Sequence, residues 1–263
     1  MSWGKSIRLS RILGSTGRSV VLPVDHGAYM GPIKGIESIW NILEIAIKSG
    51  VDSILVNKGV LKLYAEKIAK SSRKVGIVLR VSGMLAGGKE FETLVSSVEE
   101  AVILGADGVA FTVYVGGDDY NEAIRLFGIL VDESDYWGIP VVGEFIPSSR
   151  IGIALESVKL SARIGAELGA DVIKTVFVDP FREVVNTCPV PILIAGGEKM
   201  DTLKVLKMVR RAMDEGASGV CIGRNVFQHK NPERVLKAII EIVRRDAELD
   251  KAIEVLRGDQ GEL

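Results

Sequence analysis

Four short stretches hold the residue types that could do chemistry. They are "VDHG" with Asp25 and His26, "GADVIKT" with Lys174, "AGG" at 195–197, and "GRNVFQ" at 223–228. Lys174 stands in an apolar, β-branched run with no acidic residue beside it. Burying an ammonium group without a partner is costly, so lysine is almost never found inside unless something holds it. One reading sends its stem outward to water. The other keeps the amine dry, which lowers its pKa and leaves part of it neutral and nucleophilic near pH 7. Such an amine can attack a ketone to give an imine, whose positive nitrogen draws electrons from the adjacent C–C bond. Asp25 or His26 would then move the protons that these steps need. Spacing alone leaves both readings open.

The glycine stretches suit an anion. Gly196, Gly197 and Gly223 let backbone N–H groups come close to a phosphate, and Arg224 adds a forked positive charge. Glycines that only make tight turns are the alternative; the arginine and the position of the two loops favour phosphate.

These residues need strands to carry them. Apolar runs at 19–24, 53–56, 76–81, 108–113, 140–145, 171–176, 191–195 and 219–223 read as strands. The stretches between them, such as "FETLVSSVEEAVILG" and "TLKVLKMVRRAMDEG", have helical periodicity. Four times a helix runs through a glycine into the next strand, in "SGVDSILV", "LGADGVAF", "LGADVIKT" and "EGASGVCI". Glycine suits the left-handed position that ends a helix. A doubly wound open sheet shows the same alternation. Eight evenly spread strands without a break in composition favour a single (β/α)8 TIM barrel. In that fold the working face lies at the C-terminal ends of the strands. Asp25 and His26 end the first strand there, Lys174 lies on the sixth, and the glycine stretches close the seventh and eighth. Residues 1–263 read as one domain with a short N-terminal segment and a C-terminal amphipathic helical extension, which could cap the barrel or join a neighbouring subunit.

Bulk properties exclude several classes. The 263 residues are 47% hydrophobic and 25% charged with a formal net charge of −1. This balance gives no electrostatic case for nucleic acid or an anionic membrane surface. No apolar run reaches the roughly 18–20 residues that span a bilayer, and the start has no signal-peptide pattern. Two cysteines, Cys188 and Cys221, lie by apolar runs and read as buried thiols in a reducing cytoplasm. Two histidines exclude a histidine-rich metal centre, and no metal site is expected. "GMLAGGKE" (83–90) mimics a phosphate-binding loop but puts Glu90 where the magnesium-binding hydroxyl belongs. His229 reads as a loop or helix-start residue. Glu144, Lys58 and Arg80 are unassigned acid/base candidates or members of a structural ion pair.

"VDHG", "GADVIKT", "CPVPILIAGG" and "GRNVFQ", in this order and spacing, resemble the archaeal-type class I (DhnA/DeoC-like) Schiff-base aldolases. That family includes fructose-1,6-bisphosphate aldolases, aminodideoxyheptulosonate synthases and the thiolase acting on 3-hydroxy-5-phosphonooxypentane-2,4-dione. The resemblance implies a TIM barrel, a Schiff base at Lys174, acid/base work by Asp25 or His26, phosphate contacts from Gly197 and Arg224, and a homo-oligomer, often a decamer. It implies no bound cofactor. The aldolases and heptulosonate synthases carry Tyr-Pro-Arg-Gly after the fifth strand, where the tyrosine handles protons. Here the match is "FIPSSR", with Ile146 in place of the tyrosine and Ser148 in place of the arginine. The thiolase branch also lacks that tyrosine and uses the lysine and histidine matching Lys174 and His26. "WGKSIRLSRIL", "VYVGGDDY" and "AELDKAIEVL" look closer to that branch, whereas "GPIKGI" is similar to the heptulosonate synthases. The expectation is thiolase-like cleavage of a small phosphorylated ketone, with coenzyme A a possible acceptor although no motif for it is visible. A phosphorylated-ketose aldolase or heptulosonate synthase is the alternative. A non-catalytic sugar-phosphate binding barrel is the alternative of another class.

Overall fold

The computed structural model describes residues 2–71, 73–84 and 88–258. Eight parallel strands close on themselves: β1 (Ser19–Pro23), β2 (Ser53–Asn57), β3 (Gly76–Arg80), β4 (Gly108–Val115), β5 (Val141–Pro147), β6 (Val172–Val176), β7 (Ile192–Ala195) and β8 (Gly219–Cys221). Each pairs with its neighbours in sequence, and β1 joins β8 through Ser19 opposite Gly219. Helices follow the strands and pack outside, so the protein is a (β/α)8 barrel. Strand ends differ from the sequence expectation by one or two residues. Pro140 and Pro191 carry no N–H to start a ladder, so β5 and β7 begin one residue later. β4 and β5 run on to Val115 and Pro147, beyond the apolar runs that suggested them.

The repeated glycine has a partner that periodicity did not reveal. Gly50, Gly105, Gly169 and Gly216 all have positive φ, as a helix end before a strand requires. In three of the four echoes an aspartate follows two residues later. Asp52 accepts from the Val20 N–H (2.8 Å), Asp107 from Ile77 (3.0 Å) and Asp171 from Val141 (2.8 Å). Each carboxylate thus satisfies an N–H at or near the start of the preceding strand. A cation neutralises each one: Arg244 on Asp52, Arg11 on Asp107 and Lys5 on Asp171.

Lys5 and Arg11 belong to the N-terminal helix Trp3–Leu13, which lies under the barrel. Its Ile12 and Leu13 pack against one inward side chain from every strand: Val21, Leu55, Val78, Ala110, Val142, Val172, Leu193 and Cys221. This layer seals the N-terminal end. At the other end of the chain, helix Pro232–Arg245 is capped by Asn231, whose side chain accepts from the Arg234 N–H. It buries Val235, Leu236, Ile239, Ile242 and Val243 in the core, and Leu249–Arg257 packs against it. Among the described residues, no helix is long and apolar enough to cross a membrane.

Candidate active site

Side chains two residues apart on a strand share a face. The inward layer just above the sealed one therefore consists of Pro23, Asn57, Arg80, Thr112, Glu144, Lys174, Ala195 and Gly223. Five of those eight carry polar side chains. They line a cavity of about 490 Å³ at the C-terminal mouth, together with Asp25, His26, Gly196, Gly197 and Arg224. All seven residues singled out in the sequence therefore meet in one place.

Lys174 is 7% exposed, so its side chain points inward rather than to water. Its surroundings correct the reading of a partly neutral amine without an acidic partner. Register places Glu144 of β5 opposite Lys174, and Lys174 Nζ lies 2.6 Å from Glu144 Oε1. Burial opposes the positive charge, but the attraction of Glu144 outweighs it and holds the Lys174 pKa above the ordinary lysine value. Burial would likewise raise Glu144, yet Lys174 and Arg80 overcome it and bring the carboxyl down to about 2. At rest, Lys174 is an ammonium.

Arg80 ties this pair to Asp25. Its Nε donates to Asp25 Oδ2 (2.8 Å), Nη1 to Thr112 Oγ1 (2.7 Å) and Nη2 to Glu144 Oε2 (2.6 Å). Asp25, Arg80, Glu144 and Lys174 form a chain of alternating charge in which neither sign is left unpaired. Asn57 steadies the first link by donating to the Asp25 carbonyl at 2.7 Å. Lys58, the remaining candidate, faces elsewhere and binds Glu100.

His26 lies beside this chain, its Nδ1 3.5 Å from Asp25 Oδ1 and its ring edge-on to Phe227. Burial lowers its pKa below the usual 6.5, so the imidazole is neutral at pH 7 and able to take a proton. A Cβ on Gly223 would come within 2.6 Å of the ring's Cε1 and 2.9 Å of the Pro23 carbonyl. Gly223 is needed for His26 to occupy this position.

At the mouth of β7, Gly197 adopts a left-handed backbone with open space where a Cβ would lie. Arg224 joins the two loops by donating from Nη2 to the Gly197 carbonyl at 2.9 Å. Asn225, which the sequence reading passed over, is 1% exposed and clamps the same loop. Its amide donates to the carbonyls of Gly196 (2.8 Å) and Glu198 (2.9 Å) and accepts from the Met200 N–H (2.8 Å). Its only signal was an asparagine in a buried run.

Above the charged layer, Ile146 pairs with Tyr114 across β5 and β4, and both line the cavity. Ser148 is buried and lies outside the lining. Residues 85–87 of "GMLAGGKE" lie outside the described residues; Glu90 accepts from the Ser149 N–H at 2.8 Å. His229 follows a short helical turn, its Nδ1 held by the Asn231 N–H. Both cysteines are free and buried; Cys221 lies in the cavity floor, its thiol pushed up to about 12 by burial.

Residues 19–229, all eight barrel strands and the cavity, match the DeoC/LacD family of aldolases. The chain belongs to that family. Over 251 residues, 95% of each chain, it is 39% identical to 2-amino-3,7-dideoxy-D-threo-hept-6-ulosonate synthase 1 of Archaeoglobus fulgidus. It is 35% identical to the 3-hydroxy-5-phosphonooxypentane-2,4-dione thiolase of an Enterobacter species over 268 residues, covering 100% of this chain and 89% of that one. An archaeal fructose-1,6-bisphosphate aldolase, solved with its catalytic lysine covalently bound to the carbinolamine intermediate, superposes with a TM-score of 0.82. It is 28% identical and covers 91% of this chain and 99% of that one. This family member is thus an enzyme of the class I aldolase type, on the same barrel as an aldolase that works through lysine.

Proposed function

We propose that Lys174 forms a Schiff base with a small phosphorylated ketone, and that the enzyme breaks or makes the C–C bond beside that ketone. The observation that carries this reading is a buried lysine on β6, in a cavity whose rim at the ends of the next two strands, β7 and β8, is built from Gly196, Gly197, Gly223 and Arg224. The rim holds the phosphate, which leaves the carbonyl end of a short substrate near the amine. His26, neutral at pH 7, accepts the proton that Lys174 must lose before it attacks. Glu144 stays ionised and offsets the positive charge of the imine that replaces the ammonium. Asp25 holds Arg80 in place.

We assign 3-hydroxy-5-phosphonooxypentane-2,4-dione as the substrate, with the acyl fragment passing to a thiol such as coenzyme A. Ile146 supports this choice, since a hydrocarbon at that position cannot exchange a proton in the way that the tyrosine of the aldolase branch does. The 39% identity to the heptulosonate synthase supports the second reading, a transaldolase-type or aldol reaction on a phosphorylated ketose. A cytoplasmic homo-oligomer fits both readings. Exposed Trp3, Ile7 and Tyr136 give self-association an apolar surface to cover, and the free thiols suit a reducing compartment.

Borohydride trapping tests the proposal. Incubation with the phosphorylated pentanedione, fructose 1,6-bisphosphate or dihydroxyacetone phosphate should leave a reduced adduct on Lys174, seen by intact mass and peptide mapping. Absence of an adduct with all three, while thermal shifts report that they bind, would sink the Schiff-base reading in favour of a binding barrel.

A further inference from the structure

Most polar side chains facing this cavity are already committed. Asp25 and Glu144 hold Arg80 and Lys174. The Thr112 hydroxyl accepts from Arg80 and donates to Glu144, the Ser82 hydroxyl donates to buried Glu92, and Asn57 donates to the Asp25 carbonyl. Two hydroxyls remain without an oxygen or nitrogen partner among the described residues, those of Tyr114 and Tyr29. The contact Tyr114 makes is with the Met84 sulfur at 3.8 Å, a weak acceptor.

Tyr114 differs from Tyr29 in how it is held. It stands on β4, one step above Thr112 on the same inward face, and register sets it beside Ile146 of β5. Glu144 and Lys174 form the next rungs of the layer below. Tyr29 sits on a single helical turn, Gly27–Met30, tilted against His26. A rigid strand one residue pair above the lysine layer is the better platform for a group that must meet a reacting carbon repeatedly.

We propose that Tyr114 is the proton donor and acceptor of the reaction, supplying from the adjacent strand the hydroxyl that Ile146 lacks. This rests on the Schiff-base reading above. Once Lys174 has added to the ketone, the carbinolamine C–O bond breaks and its oxygen leaves as water, taking the phenolic proton of Tyr114. The nitrogen lone pair closes the C=N bond, giving an iminium ion and a Tyr114 phenolate. The phenolate then takes the proton of the substrate hydroxyl or of the incoming thiol and returns to phenol; the C–C bond breaks, and the enamine left on Lys174 is protonated and then hydrolysed by water, which frees the lysine. Burial raises the Tyr114 pKa above the usual phenol value, so the resting side chain carries its proton, and the phenolate is a strong base when it forms.

The test is Tyr114→Phe, which keeps the ring and removes only the hydroxyl. Dihydroxyacetone phosphate with borohydride is the probe, because it reports imine formation alone. Adduct growth on Lys174 should slow by about 100-fold, within the usual range for general acid–base help. The dihydroxyacetone phosphate concentration at half-saturation and the thermal midpoint should stay near those of the wild type. Slowing of less than tenfold would overturn the assignment to Tyr114 while leaving the Schiff base intact, as would a comparable loss in Tyr29→Phe alone. A wild-type enzyme that forms no adduct would overturn both the assignment and the reading beneath it.

Discussion

The barrel interior holds two rings of side chains, one above the other, made by the same eight strands. The lower ring is apolar throughout, from Val21 on β1 to Cys221 on β8, and closes onto Ile12 and Leu13. The upper ring, two residues farther along each strand, carries Asn57, Arg80, Thr112, Glu144 and Lys174. Backbone geometry is common to both, so the difference lies wholly in the side chains. Transfer of apolar surface from water stabilises the lower ring at roughly 25 cal/mol per Å². The upper ring gains little net stability from its charges, because desolvation offsets much of their attraction. One ring holds the barrel together; the other holds charges where a substrate can meet them.

The sharpest test of this division is Lys174→Ala. It should abolish turnover with each candidate substrate while near-UV circular dichroism stays native, because Glu144 keeps Arg80 and Thr112 as partners. Detectable turnover at the wild-type rate would break the division at once. Glu144→Gln is the case where the upper ring should matter to stability. It leaves two buried cations facing one carboxylate, and urea unfolding should show a loss of about 3–5 kcal/mol.

Leu55→Ala probes the lower ring. A cavity there should cost roughly 2–5 kcal/mol in the same urea measurement and leave kcat/KM within twofold. If kcat fell as steeply as stability, the rings would be coupled rather than separate. Asn225→Ala loosens the proposed phosphate rim from behind. Stranding the carbonyls of Gly196 and Glu198 should cost about 1–3 kcal/mol and raise KM for a phosphorylated substrate more than it lowers kcat.

The smallest effect concerns pH. The folded-state pKa of His26 is depressed, so its neutral form contributes stability that is present above 6.5 and declines as pH falls through the folded value. Wild-type thermal midpoints should therefore drop between pH 7 and 5.5 by more than those of His26→Asn. Equal slopes would show that His26 is not held neutral by its surroundings.

Much of the cavity mouth was readable in the amino-acid sequence because it sits at the ends of local patterns. An apolar run followed by "DHG" or "AGG" marks a strand and its mouth within a few residues. The partner of Lys174 was not readable, since Glu144 meets it only through the register of two parallel strands separated by a whole helix. That omission left a partly neutral amine as an open reading, where Glu144 keeps it charged. The role of Asn225 was hidden for a similar reason, because the loop that it clamps lies 27 to 29 residues earlier. The aspartates after the repeated glycines were in plain view, but the N–H groups that donate to them belong to the preceding strand. Local periodicity reports what a segment is; it does not report what a side chain will touch on the next one.

The helix Trp3–Leu13 and the apolar ring above it have one further consequence. With its base closed, the barrel formed by the described residues is a well that opens at the C-terminal ends of the strands, and traffic in both directions uses that mouth. In the proposed reaction, water released by imine formation, the leaving fragment and an incoming acceptor would pass the same rim in turn. A ligand lodged at that rim would therefore block arrival and departure together, and in the proposed reaction the first product would have to clear the entrance before a bulky acceptor could approach the lysine.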